Sequence, residues 1–347
     1  MMRSSVLATV LGLAASLAAP SATAAGAAED ASEPDRITWS VAAADTAGPD
    51  GRRSIGHTVE PGASTTDQVS VTNHSTAEVT FAMAANDGYL TANGSFDVRP
   101  SGSEPVDAGS WIEVPPSVTA GPGETVVVPL DIAVPARATP GDHPAGVTAS
   151  VITGDERVRV ENRVGVRVDV RVPGAVEARL DATDLDVTYE PSWNPFAPGS
   201  ASVRFDLVND GNVRLAADPL VTADAWDGQR STTAEGGEVL PGSSRAVEAD
   251  VEQLWPLGPV RVRVAAQPSA VEPTGDAADV VAEPVAAEIT AWALPVPQLL
   301  LLTGLVLLLG AGVARRRRRK QELDRLLASA RAEGAAAAER RLPPAEE

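Results

Sequence analysis

Apolar and polar residues alternate along most of the chain between residues 37 and 268, with the period of two that is typical of β-strands. Val79, Phe81 and Met83 form one such set, and another occupies every second position from Val126 to Val134. Clusters of Pro, Gly, Asn and Asp separate these runs, as turns between short antiparallel strands require. The pattern predicts an all-β fold with two immunoglobulin-like β-sandwich domains.

The longest alternating run extends from Val158 to Val172. Valines occupy one parity of this run and arginines most of the other, so one face is apolar and the opposite face is basic. A single strand of this length would reach about 50 Å, so we expect a bulge or a turn near Glu161-Asn162.

The alternation also predicts where the domains begin and end. We place the first domain at residues 37–173, because Pro173-Gly174 interrupts the pattern. A second, smaller sandwich follows at residues 175–268, and the Asp-Gly pair within residues 209–212 predicts a hairpin between two of its strands. Residues 269–290 hold Pro, Ala and acidic residues without periodicity, which predicts a disordered stalk.

The two ends of the chain indicate an exported protein anchored in the cell membrane. A short apolar run ending in Ala22-Thr23-Ala24 predicts a signal peptide at residues 1–24. Residues 291–314 are almost wholly apolar and long enough to cross a hydrocarbon core of about 30 Å as one transmembrane helix. The basic cluster after it predicts a cytoplasmic tail at residues 315–347, containing a short helix, and an extracellular ectodomain. This cluster consists of Arg315, Arg316, Arg317, Arg318, Arg319 and Lys320.

Charge is distributed unevenly along this predicted topology. Residues 29–290 hold 41 Asp and Glu against 17 Arg, a net charge of −24, whereas the tail holds 10 Lys and Arg against 6 acids. An exterior this acidic repels phosphate backbones, so we expect no nucleic-acid partner. Ala is abundant and Lys320 is the only Lys, which is typical of a bacterium with GC-rich codons. The chain has no Cys, which removes disulfides and thiolate chemistry.

Side chains for catalysis are scarce. The three histidines, His57, His74 and His143, stand in separate turn-like contexts, and none belongs to a known metal-binding or hydrolase motif. We therefore predict a protein that is not an enzyme and has no cofactor. His143 opens a predicted strand, where a side chain commonly bonds the backbone of the preceding loop.

Three carboxylates lie close together at the start of the second domain. Asp181, Asp184 and Asp186 could collect around Ca²⁺, as acidic residues do at junctions of extracellular domains. However, the last two share the solvent face of a predicted strand, and the chain has no EF-hand loop. Solvated acidic residues are the favoured interpretation, and we predict no metal site.

Four residues are candidates for ligand binding. Asp87 and Tyr89 belong to residues 86–96, which we predict to form a protruding hairpin or loop, and loops commonly carry binding residues. Trp193 and Trp226 stand near Pro, Asp or Gly, so they could be exposed and could stack on a sugar ring. For a Trp, however, burial in a core is the favoured interpretation over contact with a ligand.

Several short motifs follow one another along the first domain. In chain order they are Ile37-Thr38-Trp39-Ser40-Val41, Val69-Ser70-Val71-Thr72-Asn73, Gly109-Ser110-Trp111-Ile112, Pro122-Gly123-Glu124, Val134-Pro135-Ala136, Thr139-Pro140-Gly141-Asp142-His143 and Arg163-Val164-Gly165-Val166-Arg167. In this order they resemble the peptidoglycan-binding domain of the WxL-interacting protein family over residues 37–173. The resemblance implies attachment to the cell wall through this domain, with a second domain that engages a partner. Residues 175–268 do not clearly match the usual second domain of that family.

Topology and resemblance together predict a non-enzymatic protein of the cell surface. Its first sandwich is expected to bind peptidoglycan or another component of the cell wall, and its helix to contact membrane lipid. The alternative is a scaffold for protein–protein interaction, in which edge strands or the second domain pair with another secreted surface protein.

Overall fold

The structure, a computed structural model, describes residues 37–154, 159–274 and 277–339. The predicted signal peptide, residues 1–24, lies outside the described residues. Strands make up most of the described chain and one long helix follows them, which confirms the β-rich fold that the alternation predicted.

Residues 37–173, the first β-region, build two sheets. One has the strand order β2-β1-β4-β9-β7, and the other has the order β3-β11-β10-β5-β6 with β8 also pairing with β5. The strands are β1 (Trp39–Asp45), β2 (Gly48–Pro49), β3 (Ser54–Thr58), β4 (Ser64–Asn73), β5 (Val79–Leu90), β6 (Phe96–Val98), β7 (Ile112–Glu113), β8 (Ser117–Ala120), β9 (Thr125–Ala133), β10 (Gly141–Gly154) and β11 (Arg159–Val172), with a 3-10 helix at Ala108–Trp111.

Alternation produces the core of the first β-region. In β9 the residues Val128, Leu130 and Ile132 are buried while the residues between them are exposed, because successive side chains of a strand point to opposite faces. Val147 of β10 and Val168 of β11 reach the same core from the other sheet. The two sheets therefore form a β-sandwich around one apolar layer.

The prediction of a bulge or turn near Glu161-Asn162 was wrong. β11 pairs with β10 in continuous register from Arg159, opposite Gly154, to Val172, opposite Gly141. The two strands have equal length, so the backbone N–H and C=O groups on one side of each pair with the other strand along the whole ladder. No bulge or turn interrupts this pairing.

The second β-region, residues 180–293, contains three sheets with the strand orders β12-β13-β18, β17-β14-β20-β21 and β16-β15-β19-β22. Its own core includes Val203, Phe205 and Leu207, which alternate along β13. The strands are β12 (Leu180–Glu190), β13 (Gly199–Asn209), β14 (Leu215–Ala216), β15 (Leu220–Ala225), β16 (Gly228–Thr233), β17 (Glu238–Val239), β18 (Ser244–Leu254), β19 (Gly258–Ala266), β20 (Ser269–Val271), β21 (Ala277–Val281) and β22 (Val285–Ala293).

Two predictions about this second region were wrong. The segment at residues 209–212 does not form a hairpin, because β13 and β14 belong to different sheets and the chain crosses between them. The predicted stalk, residues 269–290, instead contributes strands β20, β21 and most of β22. β22 pairs with β19 along its whole length, from Val285 opposite Ala266 to Ala293 opposite Gly258. This pairing satisfies the backbone of a segment whose composition alone gave no periodic signal.

One helix follows, α1 (Val296–Glu339). Within the described residues, its part from Val296 to Gly334 is the one segment long and apolar enough to cross a membrane. The helix begins five residues later than the 291–314 prediction, because Ala291 to Ala293 belong to β22. It also continues without a break through Arg315 to Lys320, so the predicted tail helix is an extension of the apolar one.

A cluster of buried charges joins the two β-regions. Arg214, whose side chain is only 2% exposed, lies 3.0 Å from Asp169 through Nη1, and its backbone N–H donates to Asp142 at 2.7 Å. Arg214 Nη1 also lies 3.2 Å from Glu238, which belongs to its own region. Arg171 pairs with Asp142 at 2.6 Å and with Glu272 at 2.8 Å. The pairs of Arg214 with Asp169 and of Arg171 with Glu272 cross from one region to the other and fix their contact.

Candidate binding site

The edge of β11 is incompletely paired. β3 runs parallel to β11 but pairs with it only at residues 167–171. Among the described strands none pairs with that side of residues 159–166, a stretch that we call the free edge. Val160 and Val164 on this stretch are 48% and 36% exposed. Unpaired N–H and C=O groups beside exposed valines form a template to which another chain can add a strand.

A cavity of about 540 Å³ borders the free edge and is unusually basic for this acidic chain. It extends from β11 across to β1, where Val41 and Ala42 line it. Four arginines and one carboxylate line it: Arg52, Arg53, Arg163, Arg167 and Asp97.

Two of these arginines are held in place by neighbouring groups. Arg163 donates from Nη1 to the carbonyl oxygens of Val98, at 3.2 Å, and Arg99, at 2.9 Å. The guanidinium of Arg167 pairs with Asp169 at 2.8 Å and with Glu238 at 2.5 Å, and it lies 4.4 Å from the centre of the Phe96 ring. Both side chains are therefore ordered before any ligand arrives, which lowers the entropic cost of binding.

Arg52 is fixed by carboxylates, whereas Arg53 is exposed. Arg52 pairs with Asp50 at 2.6 Å and with Asp67 at 2.8 Å. Burial opposes the charged form of Asp67, but hydrogen bonds from Arg52, from the Gln68 amide and from His57 outweigh it and lower the pKa of Asp67 to about 2. Arg53 makes no ion pair with any described residue. It is the cation of this group most available to an acidic ligand.

A second cavity, of about 470 Å³, contains two of the predicted ligand-binding residues. Asp87 and Tyr89 both line it, together with residues of the second β-region around Asn212 and Pro241. Of the hairpin or loop predicted at residues 86–96, the structure forms the hairpin: both side chains lie on β5, which continues to Leu90 and pairs antiparallel with β6.

The carboxylate of Asp87 is already hydrogen-bonded within the protein. It accepts hydrogen bonds from the backbone N–H groups of Val106 at 2.7 Å, Asp107 at 3.1 Å and Gly109 at 2.8 Å. This side chain therefore orders the segment before the 3-10 helix. Tyr89 donates to Asp97 at 3.3 Å, and the Arg99 guanidinium lies 5.5 Å from its ring centre.

His143 also lines the second cavity and bonds the loop before it, as predicted. Its Nε2 lies 2.9 Å from the carbonyl oxygen of Thr139 and its Nδ1 lies 2.7 Å from Asp107. The ring packs on Trp111 with centroids 4.6 Å apart. Burial opposes the charged imidazole, but both ring nitrogens face acceptors, so the pKa of His143 is raised.

The structure does not bring Trp193 and Trp226 to either cavity. Both are exposed, at 83% and 87%, so the favoured interpretation of core burial was wrong for these two residues. Trp193 follows β12 and precedes Gly199 at the start of β13, whereas the second cavity lies near Asn209 and Asn212 at the far end of that strand. Eleven residues of strand separate the two ends by about 35 Å.

The acidic residues at the start of the second β-region lie along β12. A register shift between Thr183 and Asp186 interrupts the pairing of β12 with β13, and Asp184 has a positive φ of 50°. Across the parts of the chain that are described, no group of three or more His, Asp or Glu side chains could hold a metal ion.

The arginines of the first cavity were not identified as a site from the sequence. The alternation of Arg and Val on β11 was visible, but Arg52 and Arg53 come beside it only because β3 pairs with β11 more than one hundred residues later in the chain. A search for local basic residues within an acidic ectodomain could have identified Arg52-Arg53 and the β11 face separately.

No protein-family model matches this chain, and no curated protein matches it. Similar solved structures include the chaperone–tip adhesin complex of CFA/I fimbriae, with 10% identity over 73% of this chain and 97% of that chain and a TM-score of 0.34. The class 5 fimbriae chaperone CfaA shows 11% identity over 67% and 95% and a TM-score of 0.33. The Salmonella enterica SafA pilin in complex with the SafB chaperone shows 11% identity over 74% and 99%, also with a TM-score of 0.33. These TM-scores are low, so fold and function rest on the residues of this chain alone.

Proposed function

We propose that this chain is a non-enzymatic, membrane-anchored surface protein whose first β-region binds an extended segment of another secreted protein along the free edge of β11. The observation that carries the proposal is the unpaired stretch at residues 159–166, with exposed Val160 and Val164, beside the basic cavity. A partner that adds a strand there gains main-chain hydrogen bonds, and alternate side-chain contacts provide specificity.

The chemistry of the edge defines the partner. On the free edge, Arg163 projects to one face of β11, and Val160 and Val164 project to the other. A complementary strand would alternate acidic and apolar side chains. Opposite charges on neighbouring strands contribute about 0.2–1 kcal/mol per pair, so several pairs would be needed for selection.

Helix α1 supports the proposed anchoring of the chain in the membrane. From Val296 to Ala314 the helix is apolar over about 28 Å, close to the thickness of a hydrocarbon core. The exposed cluster from Arg315 to Lys320 follows directly, which favours a cytoplasmic tail and an extracellular binding region under the positive-inside rule.

Site-specific photocrosslinking in intact cells tests the binding site. A photoreactive residue at Val160 or Val164 of the full chain is expected to capture one dominant secreted protein. The matched control places the same residue at Thr233, an exposed position on β16, which is also an edge strand. Equal capture from all three positions, or none from β11, would contradict the proposal.

Charge reversal tests the role of the cavity. Arg53→Glu is expected to reduce the crosslinking yield at Val164 by about threefold or more, because it opposes an acidic partner. Arg179→Glu makes the same change at an exposed position just before β12 and is expected to leave the yield unchanged. If both variants reduce the crosslinking yield equally, the reduction comes from the change in net charge and not from the cavity.

The second cavity supports a second candidate function, retention on the cell wall. It is polar, lies where the two β-regions meet, and presents Tyr89 and Arg99 beside each other. A ring and a guanidinium together suit a glycan that carries carboxylates, in keeping with the peptidoglycan binding that the family resemblance implies.

Sedimentation of the full chain, in detergent, with isolated cell walls distinguishes the two candidates. Wall binding through the second cavity predicts retention that Tyr89→Ala abolishes and Arg53→Glu leaves intact. Binding at the free edge predicts no specific retention on walls, with crosslinks to a protein instead.

A further inference from the structure

Exposed aromatic and aliphatic residues gather at one end of the second β-region. Trp193 and Phe196 lie in the turn between β12 and β13, Trp226 lies in the turn between β15 and β16, and Leu257 lies between β18 and β19. All four are exposed. Large apolar side chains of this kind rarely cluster on a water-facing surface without a partner.

Strand pairing places these turns at the end where the helix begins. Ala293, the last residue of β22, pairs with Gly258 at the start of β19, directly after the turn that holds Leu257. Ala225 pairs with Gly228, which closes the turn around Trp226 at the same end of that sheet. In the neighbouring sheet, Gly199 pairs with Leu254, so the turn holding Trp193 and Phe196 lies at this end too.

A direct contact connects this end to the helix. Nε2 of Gln298, in the first turn of α1, donates to the carbonyl oxygen of Pro195 at 3.0 Å. Pro195 lies between Trp193 and Phe196, so the turn that carries these rings is held beside the start of the helix.

The connection between strand and helix is very short. Only Leu294 and Pro295 separate Ala293 from Val296, and two residues span at most about 7 Å. If α1 crosses the membrane, this end of the second β-region cannot be lifted away from the bilayer surface. The turns with the exposed rings must then face the headgroups.

We propose that Trp193, Phe196 and Trp226, with Trp292, form an aromatic belt that seats the second β-region in the headgroup layer of the outer leaflet. This inference rests on the membrane anchoring proposed above. Indole and phenyl rings favour the boundary between headgroups and acyl chains. Glu190, next to the Trp193 turn, and Asp227, next to Trp226, would oppose anionic lipid, so the contact depends on ring burial and not on lipid charge.

Quenching of Trp fluorescence by lipid tests the belt. The full chain is reconstituted into phosphatidylcholine vesicles with or without bromine on the acyl chains, and emission is compared. The double variant Trp193→Phe, Trp226→Phe keeps apolar rings but removes two of the six Trp emitters, both of which we expect brominated lipid to quench. The share of emission lost to brominated lipid should therefore be clearly smaller in the double variant than in the wild type.

Control variants and flotation separate the two proposals. Trp39→Phe alters a half-buried Trp of the first β-region and is expected to leave the emission lost to brominated lipid unchanged. Failure of the wild type to float with vesicles after alkaline washing would contradict anchoring itself. If the protein floats but Trp193 and Trp226 are quenched by aqueous iodide and not by brominated lipid, the belt is overturned and the anchor stands. Protection from iodide only after cell-wall fragments are added would assign these rings to a wall ligand and also overturn it.

Discussion

The two β-regions contain the same buried corner, built around Asn73 in the first and Asn209 in the second. Each side chain donates from Nδ2 to two carbonyl oxygens, one of them four residues ahead, and accepts through Oδ1 from the N–H two residues ahead. Each backbone also pairs with a Pro-Gly turn, at Gly123 or at Gly242, whose glycine has a positive φ. The two corners indicate a common plan for both regions.

The plan extends to the sheets. The order β1-β4-β9 in the first region corresponds to β12-β13-β18 in the second, with the corner asparagine ending the middle strand in both. The strand that closes each region, β11 or β22, pairs antiparallel with the strand before it in its sheet, β10 or β19.

The two regions differ in what surrounds that closing strand. β22 packs beside β12 and leads into α1 after two residues. β11 packs beside β1, but no described strand pairs with the outer side of residues 159–166, and the first cavity opens there. The same position in the plan therefore leads into the apolar helix in one region and presents an incompletely paired edge in the other.

Arg214→Ala is expected to give the largest loss of stability, because Arg214 is the most buried of the three arginines whose ion pairs join the two regions. The change leaves Asp169 and Glu238 without this partner, and breaking a buried ion pair costs about 3–5 kcal/mol. Urea unfolding of the full chain in detergent, followed by Trp emission, measures the loss. If the cluster couples the regions, the transition should also broaden or split.

Arg204→Ala is the matched control for that variant. Arg204 pairs with Glu248 at 2.8 Å on the exposed surface of the second β-region. An exposed pair of this kind contributes little to stability, because water screens the two charges. Equal losses from the two variants would show that the buried cluster does not join the regions.

Asn73→Ala and Asn209→Ala test the equivalence of the two corners. Each removes a side chain that is fully buried and leaves two carbonyl oxygens without a donor, which costs about 1–3 kcal/mol. The free energy of unfolding should fall by similar amounts in the two variants. Asn194→Ala, in an exposed turn, should change it by less than about 0.5 kcal/mol. A large loss at only one corner would refute the common plan.

The sequence predicted those parts of the fold that depend on local burial. Alternation located β9, β11 and β13 because a half-buried strand must show it. Alternation did not predict the strand within residues 269–290, because Pro and acidic residues interrupt the pattern there. This strand, β22, is stabilised by pairing with β19. The repeated corner was also missed, since Asn73 and Asn209 resemble ordinary turn residues until their distant carbonyl partners, Ala120 and Val239, are known.

The candidate site shows the same division between local and distant information. The turn residues around Trp193 and Trp226 left exposure open as the second interpretation, and the structure shows both to be exposed. Nothing in the local spacing predicts that the Asp87 carboxylate accepts hydrogen bonds from backbone N–H groups about twenty residues away. Arg53 likewise reaches β11 only through the parallel pairing of β3.

Asp67→Asn is expected to give a smaller, pH-dependent loss that is confined to the first region. The pKa of Asp67 is about 2 in the folded protein and about 3.9 in an unfolded chain. Its contribution is therefore present above about pH 4 and disappears as the pH falls through 2. At pH 7 we expect a loss of about 1–2 kcal/mol, reduced by the partial exposure of Arg52. Asp131→Asn, at an exposed carboxylate on β9, should cost less at every pH.

The ion pair of His143 should give the smallest change in the free energy of unfolding. It bears on the comparison of the two regions because all three histidines belong to the first. Its pKa is raised in the folded protein, so its stabilisation is complete below the unfolded value of about 6.5 and is lost as the pH rises through the folded value. Stability measured between pH 5.5 and 8.5 should therefore decline with pH. Asp107→Asn removes the carboxylate 2.7 Å from Nδ1 and should flatten that decline. An unchanged decline in Asp107→Asn would show that another group sets it.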